Sequence, residues 1–199
     1  MTAVPVASTA TTVAAPDAGA AALHPLLADR HSPRAFDAAA TVTADQLGLL
    51  LDAARWAPSA SNTQPWRFLA GRRGDRAFTA LLDALAPANQ EWARDAAALV
   101  LVAAETADAD GAPRPWAVYD AGQAAAHLTA EASALGLAVR QMGGFVAGEL
   151  PPLPERTVPL AVVAVGVPLA ADRIPAGHPA TRLPARSRRP LAELLISVA

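Results

Sequence analysis

Leu47, Leu50, Leu51 and Ala54 recur at spacings of three and four, behind a Thr43 that is followed three positions later by Gln46. Thr43 and Gln46 form a capping-box pattern, so the spacing predicts an amphipathic helix over residues 44–56. Trp66, Phe68 and Ala70 then alternate with Arg67 and Leu69, which predicts a strand turned by residues 71–75. A helix follows over 77–85, ended before Pro87, and 97–104 is a continuous apolar run of the length that fills a central strand. Residues 107–115 are polar and broken by Gly111, Pro113 and Pro115, which predicts an irregular excursion that could form a lid. Residues 116–137 are alanine-rich with Gly136 near the end, and read as one long helix buried on several sides. Apolar strands are expected over 139–145 and 158–167, with Pro151, Pro152 and Pro154 between them. A short helix over 24–29 precedes all of these.

Helices and strands are interspersed, with no repeat of about 30 residues and no strand-Gly-x-Gly-x-x-Gly-helix unit, so a dinucleotide-binding Rossmann domain is not supported. The expected class is α+β. A chain of 199 residues that is 53% hydrophobic suits one domain with a full core. Residues 1–22 carry Ala, Thr, Val and Pro without a basic start, and are expected to be a disordered tail ahead of a domain over 23–199.

A formal charge of −2 gives no general affinity for nucleic acid or anionic membrane. Apolar runs such as 96–104 and 160–165 are shorter than the roughly 20 residues a membrane helix needs. There is no cysteine, which excludes disulfides and thiolate catalysis and fits a cytoplasmic protein. His24, His31, His127 and His178 are scattered, with no His-Glu-x-x-His pattern, so no metal site is expected. Ser59 and Ser61 lack a Gly-x-Ser-x-Gly elbow, which disfavours a hydrolase.

The candidate chemistry lies in two stretches. Residues 57–66 read Ala-Pro-Ser-Ala-Ser-Asn-Thr-Gln-Pro-Trp, where Pro58 and Pro65 restrict the backbone and Ser59, Ser61, Asn62 and Gln64 offer donors and acceptors. Each of these residues alone would suit an ordinary capped turn; the ten together read as a binding loop. Residues 30–36 read Arg-His-Ser-Pro-Arg-Ala-Phe. Both stretches, in this order, resemble the FMN-dependent nitroreductase family. The resemblance continues through Tyr119, Asp120, Gly136, Leu137 and the run Met142 to Phe145 to Arg186-Ser187-Arg188, and covers roughly residues 24–195.

That resemblance implies a three-layer α/β/α sandwich with a mostly antiparallel sheet and a long buried helix, assembled as an intertwined homodimer whose interface completes two flavin sites. It implies bound FMN, with NADH or NADPH as hydride donor and nitroaromatics, quinones or enones as acceptors, in ping-pong order. Arg30, His31 and Ser32 would contact FMN from the first motif, and Arg186 and Arg188 would reach its phosphate from the last. Arg182, Arg186, Arg188 and Arg189 taken alone also fit a solvated basic run. Pro58, Ser59, Ala60, Ser61, Asn62 and Gln64 would line the flavin, with Gln141 at its edge and backbone N–H groups of Gly143 and Gly144 near the ring. Arg34, the one catalytic candidate, and Asn89 match positions that stabilise the reduced ring. The family often has a basic residue three positions after that asparagine; here it is Trp92, which leaves charge stabilisation mainly to Arg34. Other functions compatible with these residues are a flavin-dependent dehydrogenase or dehalogenase of one metabolite, and a non-catalytic flavin-binding protein.

Overall fold

The computed structural model describes residues 23–184 and 186–196; the expected tail over 1–22 lies outside the described residues. In chain order the elements are α1 (Pro25–Ala28), α2 (Ala44–Arg55), β1 (Trp66–Arg72), α3 (Arg76–Ala84) and α4 (Pro87–Ala93). They continue with β2 (Ala98–Glu105), α5 (Ala117–Ala134), β3 (Ala138–Met142) and β4 (Thr157–Gly166). The four strands form one antiparallel sheet in the order β1-β2-β4-β3, so β1 and β3 are its two edges.

β2 is buried on both faces, and its side chains alternate between two cores. Ala98, Val100, Val102 and Ala104 join Leu47, Leu50 and Ala54 of α2 and Ala121, Ala124 and Leu128 of α5. Leu99 and Leu101 point the other way, to Phe78 and Leu81 of α3, Trp92 of α4, and Phe36. The result is the three-layer arrangement, helices on both faces of an antiparallel sheet. Among the described residues no helix is long and apolar enough to cross a membrane.

The Thr43–Gln46 capping box forms in both directions, at 3.1 and 2.9 Å. At the far end of α5, Gly136 takes φ +70 while Leu137 N–H bonds to Ala132 O and Gly136 N–H to Ser133 O. That is a Schellman stop, which needs a residue without a Cβ at the left-handed position. α5 is buried along the stripe Ala117, Ala121, Ala124, Leu128 and Ala132, while Val118, Tyr119 and His127 face outward in the single chain.

α3 ends before Pro87 as expected, and Pro87 then occupies the first turn of α4, a helix the sequence reading did not include, where a missing N–H costs nothing. Two local expectations need correction. β1 continues through Gly71 to Arg72, because Gly71 pairs with Leu99, and the turn comes after it. Residues 107–115 form a pinned turn instead of a free excursion. An Ala107–Pro113 bridge closes it, Asp108 Oδ1 accepts from Asp110 and Ala112 N–H, and the Arg156 guanidinium donates to the carbonyls of Asp108 and Ala109.

Candidate functional site

Pro33 is buried and Phe36 bridges Pro168, so the first arginine motif is laid as irregular chain across the end of the sheet. Arg30 Nη1 donates to Ser32 Oγ at 3.2 Å. Arg186, far off in sequence, donates to the carbonyls of Ala28 at 2.6 Å, Arg30 at 3.0 Å and Leu27 at 3.4 Å. These are orphan carbonyls at the end of α1, and a guanidinium fork suits several of them at once. The two arginine motifs are therefore joined in one chain. Burial, followed by the charges of Arg186 and Arg188, holds the Arg30 guanidinium below its ordinary value. Beside them opens a cleft of about 310 Å³, lined by Pro25, Arg30, His31, Ser133, Gly136 and Ala138 among others.

A second pair of cations lies alongside. Arg140, on β3, donates from Nη1 to Ser32 O at 2.5 Å and stacks its guanidinium over the Trp92 ring, 5.7 Å from the centroid. Burial first, then the charge of Arg34, lowers its pKa as well. Arg34 Nε is buried without a hydrogen-bond partner among the described residues. None of Arg30, Arg34, Arg140, Arg186 and Arg188 pairs with a carboxylate there, although Arg55, Arg67, Arg72, Arg114 and Arg173 do. Two guanidiniums about 6 Å apart repel by roughly 3 kcal/mol at an effective dielectric near 20. Asp29 also lines the cleft, but no carboxylate is within ion-pair distance of any of the five among the described residues, and a fold that gathers them so is arranged to receive an anion.

Asn89 and Gly144 complete this edge. Asn89 Nδ2 donates to Gly144 O at 3.1 Å, and a Cβ on Gly144 would lie 2.9 Å from that nitrogen. Gly143 faces open space, with nothing within 4 Å of a built Cβ, so protein packing does not require glycine there. Gln141 points to the opposite face of β3 and donates to Thr129 Oγ1 of α5 at 3.4 Å.

Pro58, Ser59, Ala60, Ser61, Asn62 and Gln64 lie elsewhere. Their loop leads into β1, on the opposite edge of the sheet from β3, three strand spacings or about 14 Å across. Buried Asp120, in the first turn of α5, accepts from Ala60 N–H at 3.0 Å, whereas Ser133 and Gly136 of the arginine cleft are at the other end of that helix. At 1.5 Å per residue the two poles are roughly 20 Å apart. Ser61, Asn62 and Gln64 all have positive φ, at 51, 55 and 47. Residues other than glycine accept that conformation at a cost of roughly 1–2 kcal/mol each, and such strain gathers at binding sites. On the other side of the loop, Arg67 donates to Gln64 O at 3.2 Å and is itself held by Glu105, which also binds Arg114. One chain therefore does not close a pocket between this loop and Gly143-Gly144.

A family model described as the nitroreductase family matches residues 27–89, a span that holds the whole first motif, the whole loop and Asn89. A solved oxidoreductase containing FMN is 31% identical, covers 96% of each chain and superposes with a TM-score of 0.81. The chain belongs to the nitroreductase family. A Desulfovibrio desulfuricans protein, solved in complex with FMN and named as a nitroreductase, is 29% identical over 89% of this chain and 98% of its own, with a TM-score of 0.68. An uncharacterized 15.4 kDa protein from the ask 5′ region of Mycolicibacterium smegmatis is 40% identical over 111 residues, half of this chain and 74% of that protein. Within this member of the family, the sequence-predicted residues Arg30, His31, Ser32, Arg34, Asn89, Gly143, Gly144, Arg186 and Arg188 gather along the β3 edge, whereas Gln141 turns away from them to Thr129. Arg140 went unpredicted; its one signal was that it is the only cation in the stretch 139–145.

Proposed function

We propose that this chain is an FMN-dependent oxidoreductase that moves hydride from NADH or NADPH to small flat acceptors such as nitroaromatics, quinones or enones. The observation that carries the proposal is that five guanidiniums, none paired with a carboxylate among the described residues, come together beside the cleft that Arg30 lines, with one of their donors, Arg34 Nε, buried and open. A ligand with a dianionic phosphate and an electron-accepting ring edge fits that set. Arg30, Ser32, Arg186 and Arg188 would hold the phosphate; Arg34, Asn89 and the backbone of Gly143 and Gly144 would face the ring. When bound, FMN supplies the group that takes up and passes on the hydride.

The Pro58 loop would serve the flavin of a second copy. Its polar side chains are exposed, and beside it Trp56 is 77% and Tyr119 65% exposed in the single chain, a large apolar presentation that suits a homodimer interface. No side chain has to act as a dedicated acid, because water can supply the proton. Nicotinamide and acceptor would stack in turn on one open ring face, which gives ping-pong kinetics.

The test is the visible spectrum of the purified protein, followed anaerobically as NADH or NADPH is added. A bound yellow flavin that bleaches, with parallel double-reciprocal lines against a quinone, is expected. A protein that takes up no FMN would overturn the reading. Flavin that no nicotinamide reduces would leave only the binding function, and turnover with oxygen in place of nicotinamide would point to a dedicated dehydrogenase.

A further inference from the structure

We propose that Arg140 is a second cation at the pyrimidine end of the flavin, so that two guanidiniums instead of Arg34 alone meet the negative charge that reduction builds over N1 and the C2 carbonyl. The inference rests on the FMN reading above and deepens it.

β3 sets where this side chain points. Arg140 shares a face with Met142, which packs in the same core as Trp92 and Phe36. Trp92 is fully buried and stacked on Phe36, with ring centroids 6.2 Å apart, so its indole is a fixed platform. The guanidinium lies over that platform, and its bond to Ser32 O fixes its direction. A cation over an indole gains roughly 0.5–2 kcal/mol, and the bond to a carbonyl adds to that. These contacts hold Arg140 beside Arg34 without removing the repulsion between them. Among the described residues neither has a carboxylate partner, and Arg34 Nε has no hydrogen-bond partner. A buried, unpaired guanidinium donor next to a second guanidinium is what an electron-rich ligand edge would satisfy.

The cations also divide in the way FMN requires. Arg30 is crowded by Arg186 and Arg188, whereas Arg140 is crowded by Arg34. Ser32 lies between the groups, its hydroxyl on Arg30 and its carbonyl on Arg140. Three guanidiniums suit a phosphate dianion and two suit a ring edge that becomes anionic.

The experiment compares Arg140→Gln and Arg140→Lys with the flavin-loaded full chain. It reads the midpoint potential of bound FMN, the dissociation constant of sulfite, and the affinities for FMN and riboflavin. Sulfite donates its sulfur lone pair to N5 and leaves negative charge over N1 and the C2 carbonyl, so it reports on the same cations. Arg140→Gln should move the potential to more negative values and weaken sulfite on the order of ten-fold. Arg140→Lys should restore most of both, and FMN and riboflavin should lose affinity equally. Wild-type potential and sulfite affinity in Arg140→Gln would overturn the proposal. A loss for FMN but not riboflavin would also overturn it, by placing Arg140 on the phosphate. If Arg140→Gln does not fold, Arg140→Lys decides: a smaller shift of the same sign supports the assignment, and wild-type values refute it. Failure of the wild-type chain to bind FMN would instead sink the underlying function, so the two failures are distinct.

Discussion

Asp120 is a buried carboxylate at the head of α5, 2% exposed, whose Oδ2 takes the Ala60 N–H across a gap of 60 positions in sequence. Replacing it with alanine removes a charge-assisted hydrogen bond worth roughly 1.5–3 kcal/mol and strands a backbone N–H. It also removes a negative charge from a helix N-terminus, worth about 0.3–1 kcal/mol. Against these losses stands the desolvation of the carboxylate, which alanine relieves. The net expectation is about 2 kcal/mol of destabilisation. For a domain of 150–250 residues, each kcal/mol lowers Tm by about 2–4 °C, so Asp120→Ala should melt about 4–8 °C below wild type. Asp120→Asn keeps an acceptor for Ala60 and loses only the charge, and should melt about 2–4 °C below wild type. Thermal unfolding followed by circular dichroism checks both. An alanine variant with wild-type Tm would show that the loop is not held through Ala60. An asparagine variant as weak as alanine would show that charge at the helix head outweighs the loop bond.

Gly71→Ala should be among the most damaging single-methyl changes in the chain. Its Cβ would lie 2.3 Å from Phe78 N and 2.9 Å from Ala77 C, backbone atoms of α3 that cannot rotate away. A loss of about 3 kcal/mol or more is expected, as a lower urea midpoint at unchanged slope, and a midpoint equal to wild type would refute the close approach. The carboxyl of Asp37 is held below its ordinary value by the Ala39 N–H and, after that, by Arg173. Its contribution is therefore complete above the unfolded carboxylate value and disappears as pH falls through the lowered one, so Asp37→Asn and wild type should converge in Tm on acidification. A Tm difference independent of pH would contradict this.

Most of the fold was legible because its local signals agree with its tertiary ones. Thr43 with Gln46 and the leucine spacing both specify α2, and the apolar run of β2 fits a strand buried on two faces. What was misread or missed shares one physical cause, which is that a residue type has two uses. Pro87 can end a helix or open one, and only the seating of Trp92 in the core shows that it opens α4. Gly71 can turn a chain or permit close packing, and only α3 lying against β1 decides. Arg140 was missed. The role proposed for it depends on Arg34 and Trp92, which the fold brings to it from distant segments and which no periodicity links. The polar residues of the Pro58 loop stand out in the sequence, but not their position, because that follows from strand order.

That strand order constrains the proposed site more than any single residue does. β1 and β3 can touch a common ligand in one chain only by crossing β2 and β4, and the head and tail of α5 are separated by most of an 18-residue helix. The Pro58 loop nonetheless keeps three strained residues and two separate anchors, Asp120 on one side and Arg67 with Glu105 on the other. Such strain, of a few kcal/mol, gathers at binding sites, and the side chains of Ser61, Asn62 and Gln64 stay exposed in the single chain. On the proposed reading a two-fold related copy resolves the difficulty. One symmetric contact would carry each loop to the β3 edge of the other chain and create two equivalent sites together. Flavin binding and assembly would then be linked, because each flavin would touch both chains and only the dimer would hold it fully. Dilution should release flavin and monomers in parallel, and a flavin-loaded monomer at micromolar concentration would break the link.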